Sequence, residues 1–449
     1  MNSFIILLIQ LLIAIILGLA ILVKPYLGLV FILASQSVTD LLPKVPLVSS
    51  VVPLLGVVTL VGLLLRLKNE SIKKAFQFSL PHLISILFIF WILLSNPTAA
   101  ISGPNRNWVF TYVQLWVLMW LAGFLLDTPN KHRTLMWVFS VFTLVTAIVA
   151  ISQGGFFEEI DPTVRAAGLI QGANTAARYF IVTFVFLNYL RSVAKNNLLR
   201  LLAIMGMIIT FLGVFYTVSR TGMLLLGVAL LLLIILQTNL KRRIQVSIIS
   251  LVAIGLLLIF SGNILDFIKG ITPAISEGTD TVGVRYAFWN AGLEMWRDHP
   301  IAGVGIGMFP SNLKFYPNPS YIAVFLKGSV AHNIYISMLA ETGIVGFLLF
   351  FALLIRALWT FLKSRSIVNP EFKPIVNAWL IVFIILLLGG ITKTDQADKI
   401  LWLSMGSSIF FSNLPRFNVT IIEKGVATRP QNSKKLRTIY SNDHSGKVK

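Results

Sequence analysis

The chain has 449 residues, of which 56% are hydrophobic and 12% charged, with a net charge of +20 and no cysteine; its mean hydropathy is +0.84. A soluble domain carries roughly twice that charged fraction, so a soluble globular protein is excluded, as are disulfides and thiolate metal sites. The basic excess lies between apolar runs, where it encodes membrane orientation, and no nucleic-acid partner is expected.

Apolar runs at 4–23, 26–42, 45–65, 80–95, 108–126, 134–153, 174–190, 199–218, 222–238, 244–260, 333–359, 375–391 and 400–413 predict an all-α, polytopic membrane bundle of about 12–13 spans. The first run lacks a basic leader and a small-x-small cleavage site, so it reads as a retained helix. Segment 26–42 is ambiguous, because Gln36, Ser37, Thr39 and Asp40 make its second half polar; a re-entrant or tilted segment fits as well as a span.

Taking the loops alternately, sixteen Lys and Arg fall on one side, including Arg191, Arg200, Lys241 and Lys373, against six in the opposite short loops. The positive-inside rule puts the first set in the cytoplasm, so the long loop 261–331 is expected to face outward, into a periplasm or its equivalent. The basic tail 414–449 falls inside too and reads as disordered. The domains expected are 1–260 (N-terminal spans), 261–331 (a periplasmic loop with amphipathic helix), 332–413 (C-terminal spans) and the tail.

At 100° per residue, 284–298 forms an amphipathic helix. Asn290, Glu294, Arg297 and Asp298 share one side, whereas Phe288, Trp289, Gly292, Leu293, Met295 and Trp296 cover the other. Arg285 lies on the apolar face. An arginine there requires an anion, and a guanidinium grips a lipid phosphate bidentately; an ion pair with an acid such as Glu341 is the alternative. Gly303, Gly305 and Gly307 follow without the strand–turn–helix context of a dinucleotide loop, which leaves turn geometry as their role.

His332 stands where the chain re-enters the membrane. Neutral imidazole near pH 7 can take a proton from a hydroxyl, and Asn333 beside it can cap the helix or orient a substrate. Glu341, nine residues on, falls on the opposite helix face and is not expected to orient the histidine. Arg220 is pinned in a minimal outer turn with Ser219, and Arg165, Asn174 and Arg178 occupy the preceding outer connection, a candidate wall for sugar or phosphate. The densest acidic cluster on that side is Glu158, Glu159 and Asp161. No metal site is expected, since neither HExxH nor outward carboxylates at metal spacing occur.

Ser219-Arg220-Thr221-Gly222 between apolar helices, then RYAFWNAGLEMWRDHPIAGVGIGMF, then HNIYISMLAETGIVGF together resemble the O-antigen ligase and Wzy-type polymerase superfamily of bacterial membrane proteins, across roughly 165–350. The resemblance implies metal-free, cofactor-free transfer of a glycan from an undecaprenyl-pyrophosphate carrier to an acceptor hydroxyl (glycan, lipid or protein) on the periplasmic face. It assigns Arg220 and Arg285 to the pyrophosphate leaving group and His332 to general base, with Arg165, Gly168 and Asn174 as the upstream Arg–Gly–Asn element; Ala173 stands where the family usually has proline. Polymerisation of a glycan is the near alternative. Members of the superfamily have also been described as inorganic-carbon carriers, so solute transport is a second alternative, although no internal repeat is present. A non-catalytic envelope scaffold would leave the Arg–Arg–His set unexplained.

Overall fold

The computed structural model describes residues 2–42, 52–66, 78–95, 106–154, 165–237, 243–244, 247–248, 281–321 and 329–412, and every regular element among them is helical. In chain order these are α1 (Asn2–Val23), α2 (Tyr26–Ser35), α3 (Val52–Leu64), α4 (Leu80–Ser95), α5 (Arg106–Leu125), α6 (Pro129–Gln153), α7 (Ala173–Val193), α8 (Asn197–Tyr216), α9 (Arg220–Ile235), α10 (Thr281–Asp298), α11 (Ile334–Ile367), α12 (Lys373–Gly389) and α13 (399–412). Four of them, α5, α6, α8 and α11, are long and apolar enough to cross a membrane, and shorter apolar helices accompany them. The chain is an all-α membrane bundle. Of the spans expected from sequence, 244–260 falls almost wholly outside the described residues, as do the acids at 158–161 and the tail.

Helix α7 is the centre of the bundle. Nearly every residue from Ala176 to Leu190 is buried, the mark of a helix apolar on all sides, and it packs against α6, α8, α9 and α12. The outer helices leave Leu60, Phe90, Ile208 and Leu231 exposed, as a lipid-facing surface requires. Asn174 and Arg178 mark one end of α7 and Arg191 the other, and the site described below lies at the Asn174 end.

Segment 26–42 is only partly a span. Helix α2 stops at Ser35 and continues as a 3-10 turn over Gln36–Leu41, with a kink at Val38. Of the polar residues that break the apolar run, Ser37 is buried, Gln36 and Thr39 are half-buried and Asp40 is exposed. Ser37 Oγ and Thr143 Oγ1 share a hydrogen bond of 2.7 Å, the Thr146 hydroxyl donates to the Ser37 carbonyl, and Asp40 N donates to the Leu169 carbonyl at 3.2 Å. The polar half therefore docks on α6 and the connection before α7.

The amphipathic helix forms as its periodicity predicts. In α10, Ala287, Phe288, Ala291, Gly292 and Met295 are buried, Arg285 is half-buried beside them, and Asn290, Glu294, Arg297 and Asp298 are exposed. Its apolar face packs on α11. That helix is broken at Gly343, whose φ of 62° and ψ of −171° suit glycine alone. Across the break, Val304 N donates to the Ala340 carbonyl, Gly305 N to the Glu341 carbonyl and Ile344 N to the Pro300 carbonyl, each at 2.9 Å. The glycine-rich turn thus zips onto the opened backbone, with Gly303, Gly305 and Gly307 all at positive φ, consistent with their role in turn geometry. The Glu341 side chain completes the seam by accepting Phe309 N at 3.2 Å.

Candidate functional site

His332 sits one residue before the cap of α11, where Asn333 Oδ1 accepts Tyr335 N at 2.9 Å and Ile336 N at 3.1 Å. Its backbone φ is 51°; Val218, at 47°, is the other described non-glycine residue in the left-handed region. Val218 likewise precedes a cap, Ser219, whose hydroxyl oxygen accepts Gly222 N at 3.0 Å. Such conformations cost on the order of 1–3 kcal/mol and persist where the surroundings over-determine them. For His332 those surroundings are explicit. Trp289 Nε1 on α10 donates to the Ala331 carbonyl at 3.0 Å, Ile334 N donates to the Gly390 carbonyl at 2.8 Å, and the Phe288 ring lies 6.2 Å from the imidazole.

The electrostatics follow from that placement. Burial, then the charges of Arg285 and Lys393, hold His332 below its ordinary value of 6.5, while Asp395 pulls the other way. Near neutral pH the ring is thus in its proton-accepting form. Arg285 is carried on α10 and Lys393 on the connection between α12 and α13, so two separate elements bring positive charge within electrostatic reach of the histidine.

A second group forms at the start of α7 and α9. Arg165 Nη2 donates to Asn174 Oδ1 at 2.7 Å, and the Ser219 hydroxyl donates to the same oxygen at 2.8 Å. Arg220 follows as the first, exposed residue of α9. Gly168, at φ 64°, lets the connection lie against the Thr146 backbone, where a Cβ would collide. The residue after Asn174 joins this group to the α12–α13 connection: Thr175 Oγ1 accepts from Lys393, whose ammonium also meets Asp395 Oδ1 at 3.1 Å. Lys393 and Asp395 are also the charges from that connection that act on His332.

Arg178 takes a different place. Its side chain is 3% exposed and its fork is occupied by two carboxylates, Asp395 and, at 3.4 Å, Asp398. Asp398 also accepts the Tyr179 hydroxyl at 3.1 Å and Ile400 N at 3.0 Å, capping α13. Lys393, Asp395 and Asp398 were missed by sequence reasoning, which counted the two flanking lysines for orientation only. The available signal was TDQADK itself, acids and lysines concentrated in one short connection on the His332 side. Asp395 and Asp398 border a cavity of about 220 Å³ lined also by Gln36, Thr175 and Tyr179. Burial lowers the Lys393 ammonium from its usual range, with Asp395 opposing.

The assembled arrangement is one neutral imidazole among fixed cations, with a polar cavity alongside. It can deprotonate a hydroxyl and hold a polyanion within the same few side chains. Residues 205–351, about a third of the chain, match the family model described as O-antigen ligase. That segment contains Arg220, Arg285 and His332 and ends inside α11. The resemblance read from sequence is thereby shown for this segment, in an enzyme family by its description. No curated protein matches the chain.

Proposed function

We propose that this chain, through the segment it shares with the O-antigen ligase family, transfers a glycan from an undecaprenyl-pyrophosphate carrier to an acceptor hydroxyl. The reading rests chiefly on one observation: the segment matched by the family model carries Arg220, Arg285 and His332, with His332 held at φ 51° where α10 meets the start of α11. His332 takes the proton of the acceptor hydroxyl as its oxygen attacks the anomeric carbon. The bond from that carbon to the pyrophosphate oxygen breaks, and the leaving group departs with the bonding electrons. Arg285 and Arg220 stabilise the charge that accumulates there; fixed guanidinium groups do this best where water is scarce. Arg165, Asn174 and Asn333 position donor and acceptor, and the cations make a metal unnecessary. Arg178, engaged by Asp395 and Asp398, contributes by holding the wall of the site. Base and leaving group on opposite sides of the carbon give inversion of configuration.

In this reading the His332 end faces the periplasm, and the opposite, arginine-rich end and tail face the cytoplasm. The test is transfer from a lipid-pyrophosphate oligosaccharide in detergent by wild type, His332→Ala and Arg285→Ala. His332→Ala is expected to lower turnover by about 100- to 10,000-fold, and Arg285→Ala by about 100- to 1,000-fold. Unchanged transfer in either folded variant removes its catalytic role, and retained configuration in the product rules out single displacement. The acceptor that becomes labelled distinguishes ligation onto a core lipid or protein from polymerisation.

A further inference from the structure

At the end of the bundle away from His332, a cavity of about 390 Å³ opens between α7, α8, α9 and α12. It falls in the range of roughly 300–1,000 Å³ typical of ligand pockets. Arg178 and Arg191 are separated by roughly 20 Å along α7, so this cavity is distinct from the one beside Asp395. Three cations border it, Arg191, Arg200 and Lys373, contributed by α7, α8 and the first turn of α12, and among the described residues no carboxylate lines it. Arg191 donates to Asn188 Oδ1 at 3.1 Å and Arg200 to the Ala194 carbonyl at 2.9 Å. Asn377 adds an amide, and is itself fixed by Arg365 at 2.9 Å. The rest of the lining includes apolar side chains, the exposed Ile204 and the buried Leu233 among them, and it borders helix faces that expose Leu201, Ile208 and Ile235.

Charges that serve only to orient a membrane protein need a solvated rim. Here three like charges from separate helices converge on one concavity, where their repulsion falls if an anion lies between them. The ligand must carry a phosphate-like charge at one end and hydrocarbon at the other, because the cations meet an apolar wall continuous with the lipid-facing surface. We propose that this cavity is a binding site for an anionic glycerophospholipid, with the phosphate between Arg191, Arg200 and Lys373 and the acyl chains along Ile204 and Leu233. Basic pockets between membrane helices recognise such headgroups. The site is independent of the proposed glycan transfer.

The test is native mass spectrometry of the purified full-length protein, delipidated and offered equimolar phosphatidylglycerol and phosphatidylethanolamine. A parallel thermal-unfolding series adds each lipid, or inorganic phosphate alone. Wild type is expected to retain phosphatidylglycerol at least fivefold over phosphatidylethanolamine, and phosphatidylglycerol alone is expected to raise the midpoint. Arg200 is exposed, so R200Q is expected to fold; combined with K373Q it should keep the lipid-free midpoint and lose both the selectivity and the gain. Equal retention of the two lipids, or full selectivity in the double variant, overturns the proposal. A gain reproduced by inorganic phosphate alone identifies a soluble phosphate ligand and overturns the lipid assignment.

Discussion

His332 is useful as a base only while it is neutral, and its charged neighbours set the pH at which that holds. Burial and the cations Arg285 and Lys393 lower it from 6.5, and Asp395 raises it. Transfer should therefore be level at neutral pH and fall on acidification, with the half-point below 6.5. Lys393→Met removes a charge that disfavours the imidazolium and should move the acid limb to higher pH. Asp395→Asn removes one that favours it and should move the limb to lower pH; two limbs displaced in the same direction would refute the arrangement. Asn174 gives a second prediction at this scale. Its one oxygen takes both Arg165 and Ser219, so Asn174→Ala loses two hydrogen bonds, one of them charged, together about 2–4 kcal/mol. The loss should appear as a raised KM for the donor more than a lowered kcat, if Arg165 binds rather than reacts. The sequence singles out His332 and Arg220 because each is a polar residue at the end of an apolar run, and Arg285 because it lies on the apolar face of an amphipathic helix. Lys393, Asp395 and Asp398 were not legible in it, because a charged connection between two helices looks the same whether it faces water or folds back onto a neighbouring helix start.

Among the elements, α10 and α11 determine whether Arg285 reaches the histidine, and the seam at Gly343 fixes their relation. A Cβ on Gly343 would collide with the Ile301 carbonyl, and one on Gly303 with the backbone at Glu341. With the backbone strain added, Gly343→Ala should destabilise by at least about 1–3 kcal/mol, lowering the unfolding midpoint and the yield of folded protein. Glu341 allows a milder test. Glu341→Gln keeps an oxygen for the Phe309 amide and should keep transfer, whereas Glu341→Ala strands that amide at a cost of about 1–3 kcal/mol and should lower both stability and turnover. If Gln fails as completely as Ala, the carboxylate has a role beyond the seam. The amphipathic face of α10 was readable because side chains at a helical period are a sequence pattern. The zipper between 300–305 and 340–344 was not, since it is made of main-chain hydrogen bonds, which leave no trace in residue type apart from the glycines that permit them. The shortened α2 follows the same logic: its polar residues signalled a departure from a simple span, but only the packing shows that α6 satisfies them.

At the scale of the whole molecule, the central helix α7 joins the α12–α13 connection through Arg178, and this decides what that residue does. Its guanidinium is buried and shared by Asp395 and Asp398, and Asp398 also caps α13 and takes the Tyr179 hydroxyl. A buried ion cluster of this kind is weak as a net source of stability, but removing one partner leaves charge uncompensated, typically at 3–5 kcal/mol. Arg178→Met should therefore lower the unfolding midpoint sharply. The double variant Arg178→Met with Asp398→Asn removes one charge of each sign and leaves Asp395 paired with Lys393, so it should recover much of that loss. Transfer separates the two roles open to Arg178. If it holds the site together, the double variant should recover donor binding along with stability. If Arg178 contacts the donor directly, donor binding should stay lost even though the fold is restored. Measuring the unfolding midpoint and the donor KM on the same preparations distinguishes these outcomes, and the occupied guanidinium fork favours the first.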